Sequence, residues 1–284
     1  MTTSRWCQRW PERDRTQPGP ATPTWAYADP SDLFDPRGSE VRPIEEKVAK
    51  PFVTDRHYLH SYPVAMHQFG MFRHGELIGV AVYGLPSQEK VLTNPLPDLE
   101  PYTQSLVLQR LVLGPTEGNA ETWMLGQCRA LLLDAGVRAV ITFADPAWGH
   151  CGIIYQAFNC IYLSTTQATT TFWLPDGTCL DARTLQKIRK QERGHAAAER
   201  RLTSFGARPM RAGERPNLWL RQALTDVKVT RRRTPGKHRY AMPLRKDVRV
   251  YHRDRNGQPV RAYRDPSRYP KPSPDLFAAM GVSL

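Results

Sequence analysis

Three stretches of this 284-residue chain gather side chains able to do chemistry. The first is Arg56-His57-Tyr58-Leu59-His60-Ser61-Tyr62-Pro63, dense in titratable and hydroxyl groups. The second is Gln109-Arg110-Leu111, an arginine inside the apolar run SLVLQRLVL. The third passes from Phe143 through Asp145, Trp148, His150, Cys151 and Gly152 to Tyr155. An acid that ends a buried strand lies where open α/β sheets place their ligands. Asp145 is therefore a site candidate, with capping of the following turn as its structural alternative. Arg110 can hold an anion or form a structural ion pair, and His57 and Tyr58 can equally belong to a helix start. Together His57, Tyr58, Asp145 and Tyr155 offer one imidazole, one carboxylate and two phenols, N/O ligands that suit iron. Their spacing does not by itself specify a metal. His150-Cys151 invites a thiol-nucleophile reading, but adjacent residues rarely turn their side chains toward each other. The chain holds no CxxC pair, HExxH, Walker loop, GxGxxG or GxSxG, which sets aside the zinc, nucleotide-loop and serine-hydrolase classes that those patterns mark.

Local patterns indicate the elements that position these groups. Residues 1–42, rich in Pro, Asp, Arg and Thr, read as an arm that is mobile or loosely docked, with Trp6, Trp10 and Trp25 as anchors. A core spans residues 43–180. Thr54 or Asp55 reads as a helix N-cap. A hairpin over 68–72 and 77–83 turns at Arg73-His74-Gly75-Glu76. Residues 105–113 alternate as a strand, and Asn119 caps a helix over 120–135 that Gly136 stops. Residues 139–143 form a buried strand, and a short helix covers 152–158. Strands follow at 161–163 and 169–174, one basic helix over 184–205, and strands at 239–242 and 248–251. This order predicts an α+β fold, a mixed sheet flanked by helices, with strands 105–113 and 139–143 as parallel neighbours.

Charge is unevenly distributed. The chain carries 40 Lys and Arg against 27 Asp and Glu, a net +13. Residues 181–284 hold 26 basic and 9 acidic residues, which leaves residues 1–180 at −4. That asymmetry points to a polyanionic partner for the C-terminal third, with nucleic acid as the commonest one. The exposed-contact candidates are Lys187, Arg189, Lys190, Arg193, Arg200, Arg201, Arg231, Arg232 and Arg233. Apolar stretches are far shorter than the ~20 residues of a membrane span, so no membrane partner is expected. The N-terminus has no apolar signal core, and five cysteines make no disulfide framework, so a reducing cytoplasm is the expected location.

Run 105–113, the segment Asp145–Asn159 with its Gly149-His150-Cys151-Gly152 core and Asp-x9-Tyr spacing, and His57-Tyr58 together resemble the Mom proteins of bacteriophages. The resemblance covers about residues 50–175, with 237–240 marking a later strand. It implies a GNAT-like fold and conversion of adenine in phage DNA to an N6-carbamoylmethyl derivative that shields the DNA from host restriction. Location would then be the host cytoplasm. The resemblance further implies iron held by His57, Tyr58, Asp145 and Tyr155, with Arg110 a further match; Asp145, Arg110, Tyr58 and Tyr155 are the catalytic candidates. Tyr58, Tyr83 or Trp148 would stack on an extruded base. Gly118 and Asn119, before helix 120–135, are the candidates for holding an acetyl-CoA or other acyl donor. The loop departs from the GNAT pyrophosphate pattern, and Glu117 there would repel a phosphate. Two other readings stand beside this one: an acetyl-CoA-dependent N-acyltransferase acting on a protein or small amine, and a non-catalytic basic DNA-binding protein. The oligomeric state stays open, a dimer included.

Overall fold

The computed structural model describes residues 33–57, 59, 61–114, 116–146, 149–176, 179–180 and 182–271, with the backbone of strands β1 (Trp6–Arg9) and β2 (Thr24–Tyr27). Tyr58, His60 and Trp148 lie outside the described residues, as do the side chains of Trp6, Trp10 and Trp25. Strands β1 and β2 pair with each other, antiparallel, within the stretch read as an arm. The body begins slightly earlier than its composition suggests, with β3 (Ser39–Pro43) pairing β4.

Helix α1 (Glu46–Arg56) follows, and here the sequence reading needs correction. Thr54 and Asp55 form the last turn of a helix. The Thr54 hydroxyl donates back to the Lys50 carbonyl at 2.9 Å, and His57 is the C-cap. The misleading feature is Pro51, which reads as a helix boundary but is tolerated inside α1. Strands β4 (Ala65–Arg73) and β5 (Glu76–Gly84) form the expected hairpin. Its two turn residues, His74 and Gly75, have φ of 50° and 86°, the paired positive values that match the twist of the flanking strands. After a short α2 (Lys90–Thr93) comes β6 (Ser105–Leu113), antiparallel to β5. Helix α3 (Ala120–Asp134) then crosses over to β7 (Ala139–Ala144). Gly136 ends the crossover helix at φ 84°. Asn119 precedes α3 in a left-handed conformation, φ 71°, and its side chain makes no capping bond, contrary to the expected cap.

Helix α4 (Ile153–Ala157) and β8 (Ile161–Thr165) follow. Residues 167–236 then form a separate compact unit, and the chain returns at Lys237 to β12 (His238–Pro243), β13 (Val250–Arg253) and β14 (Pro259–Ala262) of the first unit. The units therefore do not divide at 180/181, where the charge changes. Strand order in the main sheet is β3-β4-β5-β6-β7-β12-β8, seven strands, antiparallel except for β6 and β7. The mixed α+β plan flanked by helices is thus present. One face packs on α3 through Met71, Leu106, Leu108, Val140 and Tyr240. The other packs on α1 through Val80, Val82 and Val112, and around α2 through Val107, Ile141 and Leu163. Burying a large aliphatic side chain is worth about 1.5–3 kcal/mol, and these clusters account for the alternation read in β6.

The second unit holds β9 (Thr169–Trp173), β10 (Cys179–Leu180), α5 (Ala182–Lys190), α6 (His195–Ser204), α7 (Pro216–Asp226) and β11 (Thr230–Thr234), with strand order β10-β9-β11. Its core packs Leu185, Ile188, Leu202 and Leu220 around the fully buried Trp219. The single basic helix expected over 184–205 is two helices. Gln191 and Gly194 take positive φ, 53° and 91°, which no α-helix accommodates, so the chain turns between Ile188 and Ala198 and both are buried.

Candidate functional site

The C-terminal end of β7 carries the densest group of polar side chains on the main sheet. Parallel pairing of β6 and β7 runs from Ser105 opposite Ala139 to Leu108 opposite Thr142 and stops there. On the other edge of β6 the register with β5 shifts between Val82 and Tyr83, which makes Gln109 a bulge. The Gln109 amide donates to the Leu85 carbonyl at 2.5 Å. The strands are thus released from each other just before Arg110 on one and Asp145 on the other.

Asp145 follows Ala144 directly and is 8% exposed. Its carbonyl accepts from the His150 amide at 3.1 Å, closing the loop that leads to α4. Its carboxylate Oδ2 lies 3.0 Å from Lys237 Nζ. Lys237 is held by a reciprocal pair of bonds: its amide donates to Thr166 Oγ1 at 2.8 Å, and its carbonyl accepts from the Thr166 amide at 2.9 Å. Next to it His238 pairs with Ala144 across the sheet. Its Nδ1 lies 3.1 Å from Thr165 Oγ1, which is 2.8 Å from the Tyr162 hydroxyl, and the Tyr162 and His238 rings meet edge-on at 6.2 Å. Burial pushes the His238 imidazole below its ordinary range against an opposing pull from Asp145. Burial likewise lowers His150 to about 4, again opposed by Asp145. His150 is therefore neutral at physiological pH. The assembly offers a carboxylate, an ammonium, two imidazoles and two hydroxyls: groups for moving a proton and for holding a developing negative charge.

The packing behind this assembly is equally specific. Gly152, φ 84°, lies against the Tyr240 ring, where a Cβ would stand 2.6 Å from the nearest ring carbon. The Tyr240 hydroxyl donates to the Cys151 carbonyl at 2.5 Å, and the Gln156 amide donates to both at 3.0 Å. Cys151 is buried and burial raises its thiol pKa, so it packs and supplies no thiolate. Tyr83, offered above as a stacking platform, is wholly buried beside Phe69, at 5.8 Å between ring centroids, and cannot meet a base.

Arg110 donates to the Ser61 carbonyl at 3.3 Å, the Ser61 hydroxyl at 3.0 Å and the Gln109 carbonyl at 2.7 Å, and so ties the segment after α1 to β6. His57 accepts the Leu59 amide at Nδ1, 3.1 Å. Tyr155 packs on Tyr240 at 5.6 Å, and burial pushes its phenol up to about 12, against an opposing pull from Thr142. Among the described residues no three His, Cys, Asp or Glu side chains converge on a metal position, and the cation set against Asp145 is an ammonium. No step below passes through a metal. Before α3, Glu117 is held by both guanidinium nitrogens of Arg73, at 2.8 and 2.9 Å, and the Gly118 carbonyl accepts the Phe34 amide at 2.9 Å.

A model of the Mom protein family matches residues 39–271. The chain belongs to the Mom protein family. No curated protein matches this Mom-family chain. Among solved structures it is similar to the GNAT family N-acetyltransferase YhbS from Escherichia coli in complex with CoA, 14% identical, covering 43% of this chain and 68% of that one at a TM-score of 0.29. It is also similar to an N-acetyltransferase from Staphylococcus aureus Mu50, 10% identical over 73% of this chain and 99% of that one, TM-score 0.35. A tandem GNAT protein from the clavulanic acid biosynthesis pathway is 11% identical over 66% of this chain and 65% of that one, TM-score 0.33. At such scores these likenesses carry no inference about what the Mom-family chain binds.

The second unit presents the basic side chains named from sequence. Residues 167–236 hold 15 Lys and Arg against 6 Asp and Glu. Arg231, Arg232 and Arg233 are exposed on β11, an edge strand. Arg231 lies over the Phe172 ring at 5.5 Å and Arg232 over Trp173 at 5.6 Å. Arg189, Lys190, Arg193, Arg200 and Arg201 are exposed on and between α5 and α6, whereas Lys187 is partly buried. Reading the sequence alone missed Lys237, His238, Thr165 and Tyr162 as members of the first unit's polar assembly. The only local signal was Lys237-His238-Arg239-Tyr240, which reads simply as a strand.

Proposed function

We propose that this Mom-family chain modifies adenine in double-stranded DNA, placing a carbamoylmethyl or related acyl group on N6 and so protecting the DNA from restriction. Family membership gives the reading its direction, and the Asp145–Lys237 pair flanked by His150 and His238 is the observation that carries it. The adenine amine is a poor nucleophile because its lone pair is delocalised into the ring. The N6–C bond forms as the donor's bond to its leaving group breaks and that group departs with the bonding pair; a base beside the amine receives the N6 proton, and Asp145 and neutral His150 are the groups for that transfer. Lys237 supplies positive charge to balance the negative charge that builds on the departing group. The target amine is stacked inside a duplex, so the base is flipped out, at about a few kcal/mol. Arg231–Arg233 and the exposed cations of α5 and α6 grip phosphates without reading sequence.

A second reading, an acyl-CoA donor held at the start of α3, draws on the missing side-chain cap at Asn119, which leaves amide donors for a phosphate. Glu117 weighs against it.

Mass spectrometry of nucleosides from plasmid DNA of bacteria expressing the chain tests the proposal. A deoxyadenosine adduct made by wild type and absent with Asp145→Ala is the expected result. Unmodified DNA from cells rich in folded protein would refute it. A CoA titration and a DNA-binding assay then separate the N-acyltransferase from the non-catalytic binding protein.

A further inference from the structure

Strand β12 alternates, so Arg239 leaves the sheet on the face opposite His238 and Tyr240. There it enters a cavity of about 210 Å³ formed by β8, β13 and the segment after α2. The Arg239 guanidinium donates to Ser164 Oγ at 3.2 Å, while its Nε is buried with no hydrogen-bond acceptor. His252 Nδ1, in the same lining, is also buried without a partner. Arg253 stands at the exposed side, fixed by donation to the Asn94 side-chain oxygen at 3.0 Å and the Gly257 carbonyl at 2.6 Å. Among the described residues no Asp or Glu lines the cavity. Pro95, Leu163 and Tyr251 supply an apolar wall.

A buried guanidinium is costly to keep without a counter-charge, and chains normally set a carboxylate against it. Here a partly buried arginine whose Nε is fully covered, an exposed arginine, an imidazole nitrogen and a serine hydroxyl face a shared space with no acid among them. That combination suits an oxyanion, which accepts from a guanidinium through short charge-assisted bonds. We propose that this cavity is a binding site for a small ligand bearing a carboxylate or phosphate group on a short carbon frame, with Arg239 as its principal anchor. The proposal does not depend on the adenine reading.

Thermal unfolding of the full chain at constant ionic strength, with inorganic phosphate or acetate as the probe, tests it. A ligand that binds only the folded state saturably raises the Tm of the first unit's unfolding step, resolved calorimetrically from that of the second unit. We expect one probe to do so, phosphate alone marking a phosphate-bearing ligand and acetate alone a carboxylate. Arg239→Met should abolish the rise, and Arg253→Met should weaken apparent affinity about tenfold, the loss of one charge-assisted contact. Arg221→Met, which removes the same charge from exposed α7, should leave it intact. If Arg239→Met does not fold, Arg253→Met, altered at an exposed residue, decides. No saturable rise with either probe, or an equal rise in the Arg253→Met and Arg221→Met variants, would overturn the assignment. Full displacement of phosphate by duplex DNA would also overturn it, making the occupant a DNA backbone phosphate.

Discussion

Replacing Gly152 by alanine should loosen the support of the Asp145–His150 loop, and the structure gives the size of the effect. Two costs add. The residue sits at φ 84°, and placing an L side chain in the left-handed region costs about 1–2 kcal/mol. The new Cβ would stand 2.6 Å from one Tyr240 ring carbon, 2.8 Å from another and 2.8 Å from the hydroxyl oxygen. Tyr240 cannot retreat. It is wholly buried, bonded to the Cys151 carbonyl and Gln156, and packed by Tyr155, Tyr162 and Tyr269. Overpacking of this kind costs about 1–3 kcal/mol. The expected destabilisation is therefore about 3 kcal/mol. Because the chain has two compact units, a single unfolding curve would mix them. Hydrogen exchange of β7 and β12 amides in a urea series reports the relevant unit by itself. A loss below about 1 kcal/mol would refute the packing argument. Tyr240→Phe supplies a second check, since removing one of the contacting atoms should make Gly152→Ala about 0.5–1 kcal/mol less costly. Strict additivity would show that the hydroxyl adds nothing to the clash and leave the ring carbons and backbone strain as its source.

Acid stability should report His150. Burial holds its pKa near 4 when folded, below the ordinary 6.5, so the unfolded chain takes up the proton first. Stability should be full above about pH 6.5 and fall by up to about 3 kcal/mol as pH drops toward 4. Urea midpoints measured across that window should slope for wild type and flatten for His150→Gln; equal slopes would remove His150 as the cause. Lys237→Met should cost only about 1 kcal/mol of stability, because its side chain is 46% exposed, yet lower adduct formation at least about tenfold. Undiminished adduct in the nucleoside assay would exclude Lys237 from the chemistry. Replacing Arg231, Arg232 and Arg233 together by Gln should flatten the log–log salt dependence of duplex binding by nearly 3, at about 0.9 per phosphate contact. An unchanged slope would take β11 out of the interface.

Much of the chain's organisation is written locally. The hairpin of β4 and β5, the strands β6 and β7, helix α3 and the surplus of basic residues past 180 all follow from alternation, helical stripes and counted charge. Asp145 could be singled out from its place after a buried strand, and family resemblance was carried by short runs of residues. These features survive in the structure because each depends on neighbours within a few positions.

What the tertiary structure decided depends on pairings between distant positions. Lys237 meets Asp145 across 91 intervening residues, 70 of which fold as a unit of their own. The placing of β12 between β7 and β8 is what brings Lys237 and His238 to Asp145, and no periodicity within β12 encodes which strands flank it. The same placement turns Arg239 to the opposite face, where a residue that reads as one more surface cation becomes a partly buried guanidinium. The break between α5 and α6 and the true end of α1 were hidden for a related reason: Gly194 and Pro51 are ambiguous signals, resolved by whether Ile188, Ala198, Phe52 and Val53 can be buried. Sequence by itself therefore determined most of the elements, the charge and the family. The fold alone determined which titratable groups share a site, because burial and strand order act between residues far apart in the chain.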